Sequence, residues 1–175
     1  MRYMKLSAQD YCPDGTPDVV KLEWHDNQRT PSLVRCVTVF DMDNDGNLDC
    51  AQPEDIDNDG VSDEWDRFKA IALARQFLEF NWFSRDQSFN KYLKVSAYDL
   101  DASGFPETVH LRFHIGDARV AFSAKFYSVT GGQQGAVSPD VNGDGEVDFS
   151  DADQIRMFCT AFLALGWFTA KCSSA

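Results

Sequence analysis

Residues 3–25 read YMKLSAQDYCPDGTPDVVKLEWH, and residues 92–114 read YLKVSAYDLDASGFPETVHLRFH. Tyr3, Lys5, Ser7, Ala8, Asp10, Gly15, Pro17, Val20, Leu22 and His25 recur as Tyr92, Lys94, Ser96, Ala97, Asp99, Gly104, Pro106, Val109, Leu111 and His114. Further along, residues 55–85 align without gaps to residues 140–170 and share the Asp and Gly residues of an acidic loop and a terminal Trp-Phe pair. Two blocks in matched register predict an internal duplication, with one repeat over 1–86, a second over 90–175 and a polar junction, RDQSFN, at 85–90.

Each copy begins with strand signals. Val20, Leu22 and Trp24 alternate with Lys21, Glu23 and His25, and Val109, Leu111 and Phe113 alternate with His110, Arg112 and His114, the period of a half-buried strand. Residues 33–40, 119–128, 4–9 and 93–98 are β-rich as well. The pattern then changes. Ala70, Leu73, Phe77 and Phe80, and Ile155, Phe158, Phe162 and Leu165, fall at helical spacing, which predicts helices over 64–82 and 149–167. The expected fold is α+β: a duplicated unit of about three β-strands, a calcium loop and one α-helix, the two copies packed as one pseudo-symmetric unit.

The 175 residues carry a formal charge of −12, with 43% apolar and 13% aromatic residues. That is enough apolar material for a core, and so acidic a surface disfavours nucleic acid and anionic lipid while attracting cations. No apolar run is long enough to span a membrane, and MRYMKLSAQDY shows no apolar leader segment. Five cysteines, Cys12, Cys36, Cys50, Cys159 and Cys172, are too scattered for a zinc site and are read either as one or two disulfides or as buried thiols.

The acidic loops carry the chemistry. Calcium takes six to eight oxygens, and a twelve-residue loop supplies them from positions 1, 3, 5, 9 and 12, with a backbone carbonyl at 7 and a glycine turn at 6. Residues 55–66, DIDNDGVSDEWD, supply Asp55, Asp57, Asp59, the Val61 carbonyl, Asp63 and Asp66. Residues 140–151, DVNGDGEVDFSD, supply Asp140, Asn142, Asp144, the Glu146 carbonyl, Asp148 and Asp151. A third calcium loop is read at 41–49, DMDNDGNLD, from Asp41, Asp43, Asp45, Asn47 and Asp49, with Gln52 at position 12. Residues 10–18 and 99–107 depart further, with Cys12 at position 3 of one and His110 at position 12 of the other. They are read as structural turns.

The segment 140–158 resembles the calcium loop and helix of a dockerin repeat, which likewise carries Asp at position 12, and 41–66 is similar to the closely spaced loops of thrombospondin type 3 repeats. The resemblance implies bound calcium; another protein chain, within a larger assembly, is expected as a partner because no catalytic motif accounts for the chain. The expected function is a calcium-stabilised structural or protein-interaction module, extracellular, periplasmic or at the cell surface. A calcium sensor and a non-catalytic accessory module are the alternatives. No catalytic motif is present, so an enzyme is not expected. The equivalent histidines His25 and His114 are candidates for a second metal or ligand site where the two copies meet.

Overall fold

The computed structural model describes residues 1–12, 14–84, 90–100, 102–117, 119–128, 134–137 and 139–168. Eight strands form one sheet: β1 (Arg2–Gln9), β2 (Val19–Asp26), β3 (Leu33–Phe40), β4 (Cys50–Ala51), β5 (Lys91–Tyr98), β6 (Thr108–Ile115), β7 (Arg119–Ser128) and β8 (Gln134–Val137). Their order is β4-β3-β2-β1-β5-β6-β7-β8, with every neighbouring pair antiparallel. Among the described residues there are two helices, α1 (Glu64–Leu78) and α2 (Phe149–Leu163).

This corrects the expected α+β fold. The molecule is largely β, and a repeated β-strand, loop and helix unit is not what it shows. The strands of both halves of the chain run into one sheet, because β1 and β5 pair directly through Met4 with Val95, Lys5 with Lys94 and Leu6 with Leu93. β4 and β8, which carry no clear alternation, extend the sheet at its two edges. The predicted junction at 85–90 lies almost wholly outside the described residues.

Alternation sorts the sheet into two faces. Met4, Leu6, Val20, Leu22, Trp24, Val37, Leu93, Val95, Leu111 and Phe113 are fully buried on the face that the helices cover. Ala70, Leu73 and Phe77 of α1 and Ile155, Phe158 and Phe162 of α2 join them, as the helical spacing predicts. Each large side chain so buried contributes about 1.5–3 kcal/mol. Phe80 bridges helix and sheet, with its ring 5.5 Å from Phe113 and 5.2 Å from Phe158.

Both helices stop four residues short of the predicted ends. Asn81 (φ +49°) and Gly166 (φ +66°) enter the left-handed region, and the preceding residues tighten into turns with Asn81 N–H bonded to Leu78 O and Gly166 N–H to Leu163 O. The Trp82-Phe83 and Trp167-Phe168 pairs follow the helices, with Phe83 and Trp167 buried and Trp82 and Phe168 packed against the core.

Candidate metal centres

Five loops share one hydrogen-bonded turn. In each, the first Asp accepts from the N–H of the glycine five residues later: Asp10 from Gly15 (3.0 Å), Asp41 from Gly46 (2.8 Å), Asp55 from Gly60 (3.1 Å), Asp99 from Gly104 (2.7 Å) and Asp140 from Gly145 (3.0 Å). The glycine is required because the chain there is left-handed, at φ +99° for Gly60 and +91° for Gly145. At position 5, Asp59, Asp144 and Asp45 accept from the N–H of Val61, Glu146 and Asn47, each at 2.8 Å.

Two of the loops lead into helices, and position 12 fixes how. Asp66 takes Ile56 N–H (2.9 Å) and Asp57 N–H (3.3 Å) on Oδ1 and Asp63 N–H (2.9 Å) on Oδ2. Asp151 does the same with Val141 (2.8 Å), Asn142 (3.3 Å) and Asp148 (3.0 Å). Asp66 is 2% exposed and Asp151 is fully buried. Ile56 and Val141 at position 2 are buried beside them, so the loop is pinned to the core at both ends. Asp63 and Asp148 are helix N-caps: Asp63 accepts from Trp65 N–H at 2.8 Å and Asp148 from Ser150 N–H at 2.7 Å. Each capping box therefore occupies positions 9 and 12 of the loop.

The carboxylates at positions 1, 3 and 5 gather in two places. Asp55, Asp57 and Asp59 each offer an oxygen within 4.8 Å of the others, and so do Asp41, Asp43 and Asp45. In the first cluster Asp55 Oδ1 is buried and has no hydrogen-bond partner. A buried, unpaired carboxylate oxygen is costly unless a cation meets it. Lys69, on α1, answers part of this charge by pairing with Asp57. Their hydrogen bond holds the Asp57 carboxyl below its ordinary pKa and raises the Lys69 ammonium. In loop 140–151 the middle ligand is an amide, and Asn142 donates to Asp144 (2.8 Å) while accepting from its N–H (2.9 Å). That loop thus brings two carboxylates together rather than three.

In loop 41–49 the ninth residue stands apart. Asp49 is exposed, its N–H is bonded to Phe40 O at 3.0 Å, and the cluster does not include it. Gln52 is drawn into the sheet edge, exchanging bonds with Thr38. The loop is anchored instead by buried Leu48, whose carbonyl accepts from Arg75 of α1 at 2.6 Å.

No family model, curated protein or solved structure matches the chain.

The loops must therefore be read from their own donors. Sequence reasoning missed two features. One is Lys69, twelve residues beyond Asp57 and turned back onto it. The other is the clasp inside the structural turns expected at 10–18 and 99–107, where the acid at position 9 takes the part played elsewhere by position 12: Asp18 accepts from Tyr11 and Cys12 N–H, and Glu107 from Leu100 N–H at 2.8 Å. The signal was present in an Asp followed four and five residues later by Asp-Gly at 14–15 or Ser-Gly at 103–104, with an acid three residues beyond the glycine. Asp101 of the second loop lies outside the described residues.

The other candidates separate. His25 stacks on Tyr3 and His114 on Tyr92, and the pairing order places β1 and β5 between β2 and β6, so the two histidines do not meet. Cys12, Cys36, Cys50 and Cys159 are free thiols; Cys172 lies outside the described residues. Among the described residues no helix is long and apolar enough to cross a membrane.

Proposed function

We propose that this chain is a calcium-binding module whose ions act as structural staples, and that it works as an extracellular, periplasmic or cell-surface interaction module resembling dockerin loops in its chemistry. The observation that carries this reading is the buried, unpartnered Asp55 Oδ1 set among the Asp57 and Asp59 carboxylates. Three hard oxygen donors, with neither histidine nor thiol in loop 55–66, suit calcium rather than a softer metal. Loop 140–151 shares the turn, the capping box and the buried position-12 clasp, and loop 41–49 supplies the second carboxylate cluster. The ions would be held by Asp55, Asp57, Asp59 and Asp66, by Asp140, Asn142, Asp144 and Asp151, and by Asp41, Asp43 and Asp45. Asp63 and Asp148, committed to their helix caps, would reach an ion through water, as position 9 often does. The position-7 residues Val61, Glu146 and Asn47 would contribute their carbonyls.

The stabilisation follows from linkage: at a free-ion concentration a hundred times the dissociation constant, each site adds about 2.7 kcal/mol. For a chain of this length each kcal/mol moves the melting temperature by about 2–4 °C. Two sites are expected to raise the melting temperature in 10 mM calcium by roughly 10–20 °C over that in EDTA. Coincident melting curves in the two conditions would remove the proposal.

A further inference from the structure

The sheet face turned away from the helices carries a charge opposite to that of the chain. Five neighbouring strands each present one cation there: Lys21 on β2, Lys5 on β1, Lys94 on β5, Arg112 on β6 and Lys125 on β7. Lys5 stands opposite Lys94, and Lys94 opposite Arg112. Lys21, opposite Ser7, lies one outward position along from Lys5, and Lys125, opposite His110, lies one position from Arg112 in the other direction. Lys5, Lys94 and Arg112 thus form a row at the strand spacing of about 4.8 Å, and Lys21 and Lys125 extend it at either end, each displaced about 6.8 Å along its strand in opposite directions. Among the described residues the outward positions of these strands hold one acid, Glu23, which pairs with Lys5 at 3.2 Å, and no carboxylate is within ion-pair reach of Lys94 or Arg112.

Like charges placed directly opposite on a sheet are destabilising, and burial together with Arg112 lowers the Lys94 pKa. Two aromatic rings at the centre of this face, Tyr3 and Tyr92, are already covered. Tyr3 stacks on His25 at 4.7 Å with the Lys94 ammonium 3.8 Å from its centroid, and Tyr92 stacks on His114 at 4.6 Å with Lys5 at 5.0 Å. No free ring face remains on Tyr3 or Tyr92 for a base or a neutral sugar to stack on. Recognition here rests on charge.

We propose that this face binds a linear acidic polysaccharide carrying one carboxylate or sulfate on each sugar. The length of one pyranose unit is close to the strand spacing, so successive anions meet successive strands. An extended acidic peptide places same-side carboxylates about 6.8 Å apart, and a strand of a nucleic acid duplex carries one phosphate for about every 3.4 Å of helix axis. Neither matches the row.

The test is calorimetric titration of the full chain with chondroitin sulfate, which bears one anion on each sugar. Hyaluronan, with an anion on every second sugar, desulfated and carboxyl-reduced chondroitin, poly-aspartate and single-stranded DNA are the comparisons. Chondroitin sulfate is expected to bind tightest and the neutral chain not at all. Lys94→Gln combined with Arg112→Gln should weaken binding about 10- to 30-fold. Arg67→Gln, on the surface of α1, should leave it unchanged. Lys94→Arg combined with Arg112→Lys keeps the charges and should keep binding, which separates lost charge from disturbed folding. Binding should persist in EDTA as long as the far-ultraviolet circular dichroism shows a folded chain, because the face is independent of the loop ions. The proposal is overturned if chondroitin sulfate does not bind at about 0.1 M salt, or if hyaluronan, poly-aspartate or DNA binds as tightly. An equal loss on Arg67→Gln, or a loss in EDTA from a chain that is still folded, also overturns it.

Discussion

Replacing Asp151 with Asn isolates the clasp that ties loop 140–151 to its helix. The carboxylate is fully buried and accepts three backbone N–H groups, from Val141, Asn142 and Asp148, at 2.8, 3.3 and 3.0 Å. Hydrogen bonds to a charged acceptor contribute about 1.5–3 kcal/mol each, roughly twice a neutral one. The Asn oxygen can keep the first two as neutral bonds. Its NH2 group then faces the Asp148 N–H, leaving a buried donor without an acceptor, which costs about 1–3 kcal/mol. Loss of the negative charge from the first helical turn adds about 0.5 kcal/mol, while relief from burying a charge offsets part of the sum. The net expectation is a loss of about 2–4 kcal/mol, or roughly 5–15 °C in melting temperature. Urea unfolding in EDTA measures it without any contribution from bound ions. Asp66→Asn alters the equivalent three-bond clasp in loop 55–66 in the same way and should cost a similar amount. Asp144→Asn, at an exposed position, should change apo stability by less than about 0.5 kcal/mol. If Asp151→Asn and Asp144→Asn unfold at the same urea concentration, the clasp is not what holds the loop.

Lys69→Gln removes the ammonium that neutralises Asp57 and should raise the calcium affinity of loop 55–66 about 5-fold, the equivalent of about 1 kcal/mol for a partly exposed charge; calorimetry showing unchanged or weaker binding would refute the competition. Terbium bound in loop 55–66 should luminesce on excitation of Trp65, which lies within that loop, and Trp65→Leu should abolish most of the signal. His25 and His114 have buried ring nitrogens without partners, and burial lowers both pKa values. The unfolded chain then binds more protons, so this contribution to stability is complete above about pH 6.5 and is lost as the pH falls toward the folded-state values. Urea unfolding in EDTA between pH 5 and 7 should show the slope, and His25→Phe combined with His114→Phe should reduce it, leaving the part due to His110, whose pKa burial also lowers.

The strands were legible because each has one face in the core. Val20, Leu22 and Trp24 of β2 and Val109, Leu111 and Phe113 of β6 keep strict alternation, and they lie in the sheet where that period puts them. What the pattern does not encode is which strand pairs with which. The join between β1 and β5 decides that there is one sheet rather than two, and its register depends on contacts between residues about ninety positions apart. The edge strands escaped for a related reason: β4 is only Cys50–Ala51, too short for any period. The helix starts were readable from Asp63 and Asp148, whereas their ends depend on the left-handed residues Asn81 and Gly166, which apolar spacing overran.

In the loops, composition located the carboxylates and the turn glycines but not the division of labour among them. Positions 9 and 12 are bound to the backbone as caps and clasps, so the side chains left to gather are those at positions 1, 3 and 5. Lys69 was hidden because its partner, Asp57, lies in the loop twelve residues earlier, a contact that no helix or strand period predicts. The cationic row was hidden for the same reason. Lys5, Lys94 and Arg112 are far apart along the chain and become neighbours only through pairing.

The most direct test is a calcium titration by calorimetry of the full chain alongside Asp55→Asn and Asp140→Asn. The account predicts at least two ions bound at millimolar free calcium, with each substitution removing or strongly weakening one site and leaving the other intact. A chain that binds no calcium at millimolar concentration, or one whose binding is unaffected by both substitutions, would contradict it.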